Sequence, residues 1–251
     1  MKPIALQLYS VRDEAKKDFP AVLKKVAGMG YKGVEPAGFH GLSPAEFRRI
    51  VEDLGMEISS SHGPWANPEN LSEVIETVKI LGIDLVACGF GDDHFNSMDA
   101  IKKTAEKVNQ MHGALKKEGI RLFVHNHYWE FDIVDGEPAY YHFTKLAPDV
   151  LLELDVYWAA NFGRRDPAAE TARFKNRIPL LHIKDGQMGT DKIMQPLGQG
   201  KMDIPSVINA ADPAVLEWII VELDRCDGDM MEAVEESYRY LAENGLGAGN
   251  R

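Results

Sequence analysis

Four residues with metal-binding side chains fall at or near the ends of separate short apolar runs: His125, Asp155, His182 and Glu222. Imidazoles and carboxylates gathered in one place make a divalent-metal site. Mixed nitrogen and oxygen donors suit Mn²⁺ foremost, with Zn²⁺, Fe²⁺, Co²⁺ or Mg²⁺ as alternatives and Ca²⁺ disfavoured. The period-two alternation of extended chain adds neighbours on the same faces: His127 with His125, Lys184 with His182, and Asp224 with Glu222. Taken singly, each group reads as a satisfied structural residue, since a lone buried histidine is more often hydrogen-bonded than ligating. Gathered at one rim, such groups repel one another or stay unsatisfied without a cation.

The elements that must position them are short strands alternating with helices. Strand-like runs span residues 4–8, 33–35, 57–61, 85–88, 122–125, 151–155, 180–184 and 218–222. Eight such runs separated by stretches of helical period imply a (β/α)8 barrel, in which strand C-termini converge on one catalytic mouth. Helix signals agree with that count. Ser43-Pro-Ala-Glu46 combines an N-cap serine, a proline in the first turn and a glutamate three residues after the cap. Asp18 opens an earlier helix that ends at 28–30, 98–117 is the longest helical stretch, and 207–211 and 230–241 carry the last two helices. The segments 63–70, 89–96, 128–138 and 186–203 are the longest irregular ones and all follow strands, which builds up the catalytic face. The tail 245–251 reads as frayed.

A chain of 251 residues with 45% apolar content can bury one barrel-sized core, so the whole length is taken as one domain. The net charge of −11 opposes a nucleic-acid partner, which needs a basic footprint, and favours a small neutral or metal-chelated substrate. Two cysteines, Cys88 and Cys226, give no disulfide framework. With no signal-like or membrane-spanning apolar run, a cytoplasmic location is expected.

Several segments together resemble the sugar phosphate isomerase/epimerase family of xylose isomerase-like barrels. They are Gln7-Leu-Tyr-Ser-Val-Arg12, Gly33-Val-Glu-Pro-Ala-Gly38, His125-Asn-His-Tyr-Trp-Glu-Phe131, Leu154-Asp-Val-Tyr-Trp158, His182-Ile-Lys-Asp185, Gly198-Gln-Gly200 with Asp203, and Val221-Glu-Leu-Asp224. The resemblance runs from residue 4 to about residue 240 and implies one divalent metal held by a glutamate, an aspartate, a histidine and a second glutamate. Asp155, His182 and Glu222 match the later three positions. Where relatives often carry the first glutamate this chain has His125, while Glu130 lies five residues on and can fold back over the mouth. With Glu130 on the metal, His125 and His127 are free for proton transfer; with His125 there, Glu130 becomes the base.

Other residues at the mouth fill out the site. His62, after the third strand, can donate to a substrate hydroxyl or move a proton. Glu35 ends the second strand as a substrate contact or a structural carboxylate. Lys184 either polarises a substrate oxygen or pairs with Glu153, Asp155 or Glu222. Trp65 and Trp158 are read as pocket walls, since aromatic faces beside polar donors suit a sugar.

The expected function is a metal-dependent isomerase or epimerase of a sugar or keto-sugar, working through an ene-diolate. The runner-up is a lyase or dehydratase on a 3-keto sugar or inosose, where the same enolate expels a β-substituent. A related abasic-site endonuclease is opposed by the acidic charge, and a non-catalytic sugar binder or accessory subunit by the surplus of ionisable groups at one rim. No basic, glycine-rich phosphate cradle follows the last strands, and a homodimer is suggested by resemblance alone.

Overall fold

The protein is described by a computed structural model covering residues 1–190 and 193–250. Its apolar runs become eight parallel strands: β1 (Ile4–Gln7), β2 (Gly33–Glu35), β3 (Glu57–Ile58), β4 (Leu85–Cys88), β5 (Arg121–His125), β6 (Leu151–Asp155), β7 (Leu180–Ile183) and β8 (Trp218–Val221). They pair in the order β3-β2-β1-β8-β7-β6-β5-β4. The two ends of that order meet where Ser61 bridges Val86 and the Ala87 amide donates to the Ser61 carbonyl at 2.9 Å. The third strand is shorter than the expected 57–61: its ladder with β2 ends at Ile58, after which the Ser59 amide donates to the Val34 carbonyl at 3.1 Å and Ser61 bridges Val86.

Strand parity divides the core in two. Leu6, Val34, Val86, Val124, Leu152, Leu181 and Val221 point outward into the layer shared with the helices. Ala5, Leu85, Ala87, Phe123, Leu180, Trp218 and Ile220 form a separate cluster inside the barrel. Gly33 is required there, since a Cβ would meet the Trp218 ring at 2.7 Å. Counting on by two along the same strands, this inner apolar layer gives way to Gln7, Glu35, His125, Asp155, His182 and Glu222, so a single parity places all six at the C-terminal end.

Eight helices of seven or more residues lie among the described residues: α1 (Phe19–Met29), α2 (Pro44–Asp53), α3 (Leu71–Leu81), α4 (Met98–Lys116), α5 (Ala139–Leu146), α6 (Pro167–Phe174), α7 (Ile204–Ala210) and α8 (Met230–Glu243). The capping box of α2 forms as its sequence predicts, with the Ser43 amide donating to Glu46 Oε2 at 2.8 Å and the Glu46 amide to Ser43 Oγ at 3.3 Å. The seventh helix starts three residues earlier than expected. Asp203 caps it by accepting from the Ser206 amide at 3.1 Å, with Pro205 in the first turn. No helix of the described residues is long and apolar enough to cross a membrane.

The expectation of a frayed tail is corrected for residues 245–250; Arg251 lies outside the described residues. The Ile4 amide donates to the Ala248 carbonyl at 2.9 Å, and the Ala248 amide to the Lys2 carbonyl at 2.8 Å. Asn250 donates from its side chain to the Gly55 carbonyl at 3.0 Å and from its amide to the Gly30 carbonyl at 2.8 Å. The tail thus ties the N-terminal ends of β1 to β3 together. Ending the chain at Asn244 is expected to cost about 2–4 kcal/mol, each lost bond contributing about 1 kcal/mol. Urea unfolding measures this, and an unchanged midpoint would contradict the docking.

Candidate active site

Two groups of four buried side chains share one histidine: Glu35, His62, Glu153 and His182, and His125, Asp155, His182 and Glu222. In each group one donor atom per residue lies within 4.8 Å of the others. The first group is one pleat deeper, because Glu153 precedes Asp155 by two residues on β6 and both point inward.

The deep group is a hydrogen-bonded and ion-paired network. Glu35 accepts from Gln7 Nε2 at 2.6 Å, from the Ser60 hydroxyl and from His182 Nε2 at 2.7 Å. His62 Nε2 lies 2.5 Å from Glu153 Oε2 and 3.4 Å from Glu35 Oε2, while Glu153 Oε1 is 3.1 Å from His182 Nε2. Burial opposes charge on either imidazole, but Glu35 and Glu153 outweigh it and raise the pKa of His62. Glu153, Glu35 and Glu222 outweigh burial more strongly at His182, holding its pKa well above the ordinary value. Burial likewise works against the Glu153 carboxylate, yet His182 and His62 bring it down to about 2. The network orients His182: Nε2–H is held by Glu35, and Nδ1 faces Glu222 Oε2 at 2.8 Å. Carboxylates behind the far nitrogen are the usual means of fixing a ligating histidine.

The shallow group is not closed. Neither ring nitrogen of His125 has a hydrogen-bond partner among the described residues, although both are buried. Its Nε2 is 3.7 Å from Asp155 Oδ2. Burial, with the positive His182 and His62 nearby, lowers the His125 pKa to about 4, so the ring is neutral at pH 7. Asp155 Oδ1 is committed to the Trp158 amide at 2.9 Å, which caps the turn Val156–Ala159 and leaves Oδ2 for the site. Burial disfavours both carboxylates' charges, but Lys184 holds Asp155 below the usual carboxylate range, and Lys184 with His182 does so more strongly for Glu222. A neutral imidazole with orphaned nitrogens, a second imidazole backed by carboxylates and two ionised carboxylates form a donor set that fits one divalent cation.

The remaining predicted residues fall at graded distances from this centre. Glu130 lies in neither group; its Oε2 accepts from the His127 amide at 2.9 Å, while its Oε1 is buried without a partner among the described residues. Burial pushes its carboxyl well above the ordinary value. His127 stacks on Trp129 at 4.2 Å, and burial with His125 and Lys184 nearby takes its pKa down to about 3. It lines a cavity of about 300 Å³ with Tyr128, Trp129, Trp158, Asp224 and Arg225. Trp158 is therefore a wall, with Lys184 Nζ 5.3 Å from its ring centre. Trp65, partly exposed, lies edge-on against His62 at 4.8 Å. Glu35 is fully buried in the deep network, against Gln7, Ser60 and His182.

Sequence reading passed over Gln7 and Ser60 and treated Glu153 only as a possible partner for Lys184. Their signal was available: Gln7 is a polar residue in an apolar strand, and Glu153 shares the parity of Asp155. Asp185 was also missed as a structural residue. Its carboxylate accepts from the amides of Gly198 at 2.9 Å, Gly200 at 3.0 Å and Met202 at 3.0 Å, which explains the Gly-Gln-Gly segment as a turn wrapped on an aspartate.

A family model described as "Xylose isomerase-like TIM barrel" matches residues 23–244. No curated protein matches the chain. Among solved structures, the chain is similar to a sugar phosphate isomerase/epimerase from Parabacteroides distasonis ATCC 8503, at 28% identity and TM-score 0.80 over 98% of this chain and 96% of that one. The barrel is also shared with the probable 3-DHS dehydratase AsbF from Bacillus anthracis, at 11% identity and TM-score 0.74 over 96% and 99% of the two chains. A third likeness is to the IOLI protein with a binding zinc atom, at 15% identity and TM-score 0.70 over 97% of each chain.

If the deep network is held by charge, Glu153→Gln removes the carboxylate shared by two imidazoles and is expected to destabilise the fold by about 3 kcal/mol or more. Denaturant unfolding measures it. A loss below about 1 kcal/mol, the size of an ordinary hydrogen bond, would contradict the charge pairing.

Proposed function

The chain belongs to the xylose isomerase-like TIM barrel family, and on that footing we propose that it is a divalent-metal-dependent isomerase or epimerase of a sugar or keto-sugar. The observation that carries this reading is His125, neutral and unpartnered, converging with Asp155, His182 and Glu222 at the barrel mouth. These four residues would hold the ion, with Mn²⁺ the first candidate. When bound, a divalent cation supplies Lewis acidity that stabilises negative charge on neighbouring substrate oxygens. The likeness to a sugar phosphate isomerase/epimerase supports the reaction class.

Proton transfer falls to the chain's own groups. Glu130 is the proposed base, because burial raises its proton affinity and its Oε1 has no other partner among the described residues. His127, whose ring holds a proton too weakly to serve as that base, is assigned to hydrogen-bonding a substrate hydroxyl from the cavity wall. Tyr128, Trp129 and Trp158 offer apolar faces to the C–H surface of one sugar ring and exclude water from the reacting carbon. Lys184 adds a positive charge beside the Trp158 face. His62, expected as a proton carrier, is assigned instead to orienting the deep network, since its Nε2 is occupied by Glu153.

Two expectations follow. Glu130→Gln should lower kcat by about 10²- to 10⁴-fold, the usual worth of a general base, with Mn²⁺ affinity unchanged. Loss of Mn²⁺ binding in that variant would instead make Glu130 the ligand. Incubation with candidate keto-sugars in deuterated water, followed by NMR, should show deuterium at the carbon beside the carbonyl with every substituent retained. Loss of a β-substituent would favour a dehydratase, and neither outcome across a ketose and inosose panel would oppose the enzymatic reading.

A further inference from the structure

The Lys184 ammonium, fully buried, spends itself on three carboxylates: Asp155 Oδ2 at 2.8 Å, Glu222 Oε2 at 2.8 Å and Asp224 Oδ2 at 2.6 Å. Two of these residues belong to the metal-competent group, and the third does not. At Asp155 the overlap is close. The Trp158 amide takes Oδ1, so Oδ2 is the oxygen left both for the lysine and for a metal beside His125. At Glu222, the oxygen that meets Lys184 is also the one that meets His182 Nδ1.

Asp224 stands apart from that contest. It follows β8 on the cavity side with 31% of its side chain exposed, and its backbone carbonyl is held by Arg12 Nη2 at 2.8 Å. The Trp158 face is a second partner for the ammonium that owes nothing to the metal ligands. A monocation and a dication drawn to the same carboxylates repel each other strongly in a buried site.

We propose that Lys184 is a built-in cation that competes with the divalent metal for Asp155 and Glu222, and that Asp224 keeps it paired when the metal is bound. This rests on the metal reading above. The lysine thus fills the charge deficit of an empty site at the expense of metal affinity, and Asp224 sets how large that expense is.

The test is Mn²⁺ affinity, read by electron paramagnetic resonance of free Mn²⁺ on metal-stripped protein, with no need for turnover. Lys184→Met should bind Mn²⁺ about tenfold tighter than wild type or more, whereas a merely structural lysine would give weaker binding on removal. Asp224→Asn should weaken binding in the wild-type background and do so by a smaller factor beside Lys184→Met. Unchanged or weaker binding in Lys184→Met, with wild type binding normally, would overturn the competition alone. Absence of binding in both proteins at millimolar Mn²⁺ would overturn the metal reading with it. Should Lys184→Met unfold when stripped, recovery of its circular dichroism on adding Mn²⁺ supports the proposal. Failure to recover, or an Asp224→Asn effect of equal size in both backgrounds, counts against it.

Discussion

The imidazole of His182 is clasped on both sides by carboxylates, and the site is built outward from that contact. Glu35 and Glu153 take its Nε2, and Glu222 faces its Nδ1. The ring cannot turn without leaving a buried carboxylate unpaired, which costs far more than an ordinary hydrogen bond. His182 therefore couples the deep network to the shallow group and transmits the rigidity of one to the other. Gln7 on β1 and Ser60 just after β3 secure Glu35 from the two sides of β2, so the imidazole's position is set by several strands at once.

The barrel makes this density of charge tolerable by separating it from the apolar core in depth. One parity of side chains begins at its lower level with Ala5, Ala87, Phe123, Leu180 and Ile220 and ends with ionisable groups, so the dry floor and the charged mouth arise from the same strands. Within the mouth, the deep carboxylates lie against imidazoles, with the Gln7 amide and the Ser60 hydroxyl on Glu35, whereas both nitrogens of His125 and one oxygen of Glu130 have no hydrogen-bond partner among the described residues. Natural proteins rarely leave buried polar atoms unsatisfied, and among the several such atoms here those of His125 and Glu130 are the ones to which metal binding and proton transfer are assigned.

The barrel was readable from sequence because period-two runs, helix caps and turn residues agree with one another. Ser43 and Glu46 announce α2 in full, while the docking of the tail through Asn250 has no local signature, being a match between one amide side chain and distant carbonyls. Parity told which residues face inward but not how deep they lie. Glu35 therefore read as a mouth residue although it belongs to the deeper network, and Glu153 drew less notice than Asp155 although it contacts both histidines of that network. Nor could spacing decide between His125 and Glu130. Where Glu130 goes depends on the turn at Trp129–Phe131, which brings it to the His127 amide; it belongs to neither four-residue group.

The central claim is that a divalent ion sits among His125, Asp155, His182 and Glu222. Anomalous diffraction from crystals grown with Mn²⁺ tests it most directly. The account predicts one strong peak within coordination distance, about 2.0–2.3 Å, of a nitrogen or oxygen from each of the four. A peak bound by Glu130 in place of His125, or one centred on Glu35, His62 and Glu153, would contradict it.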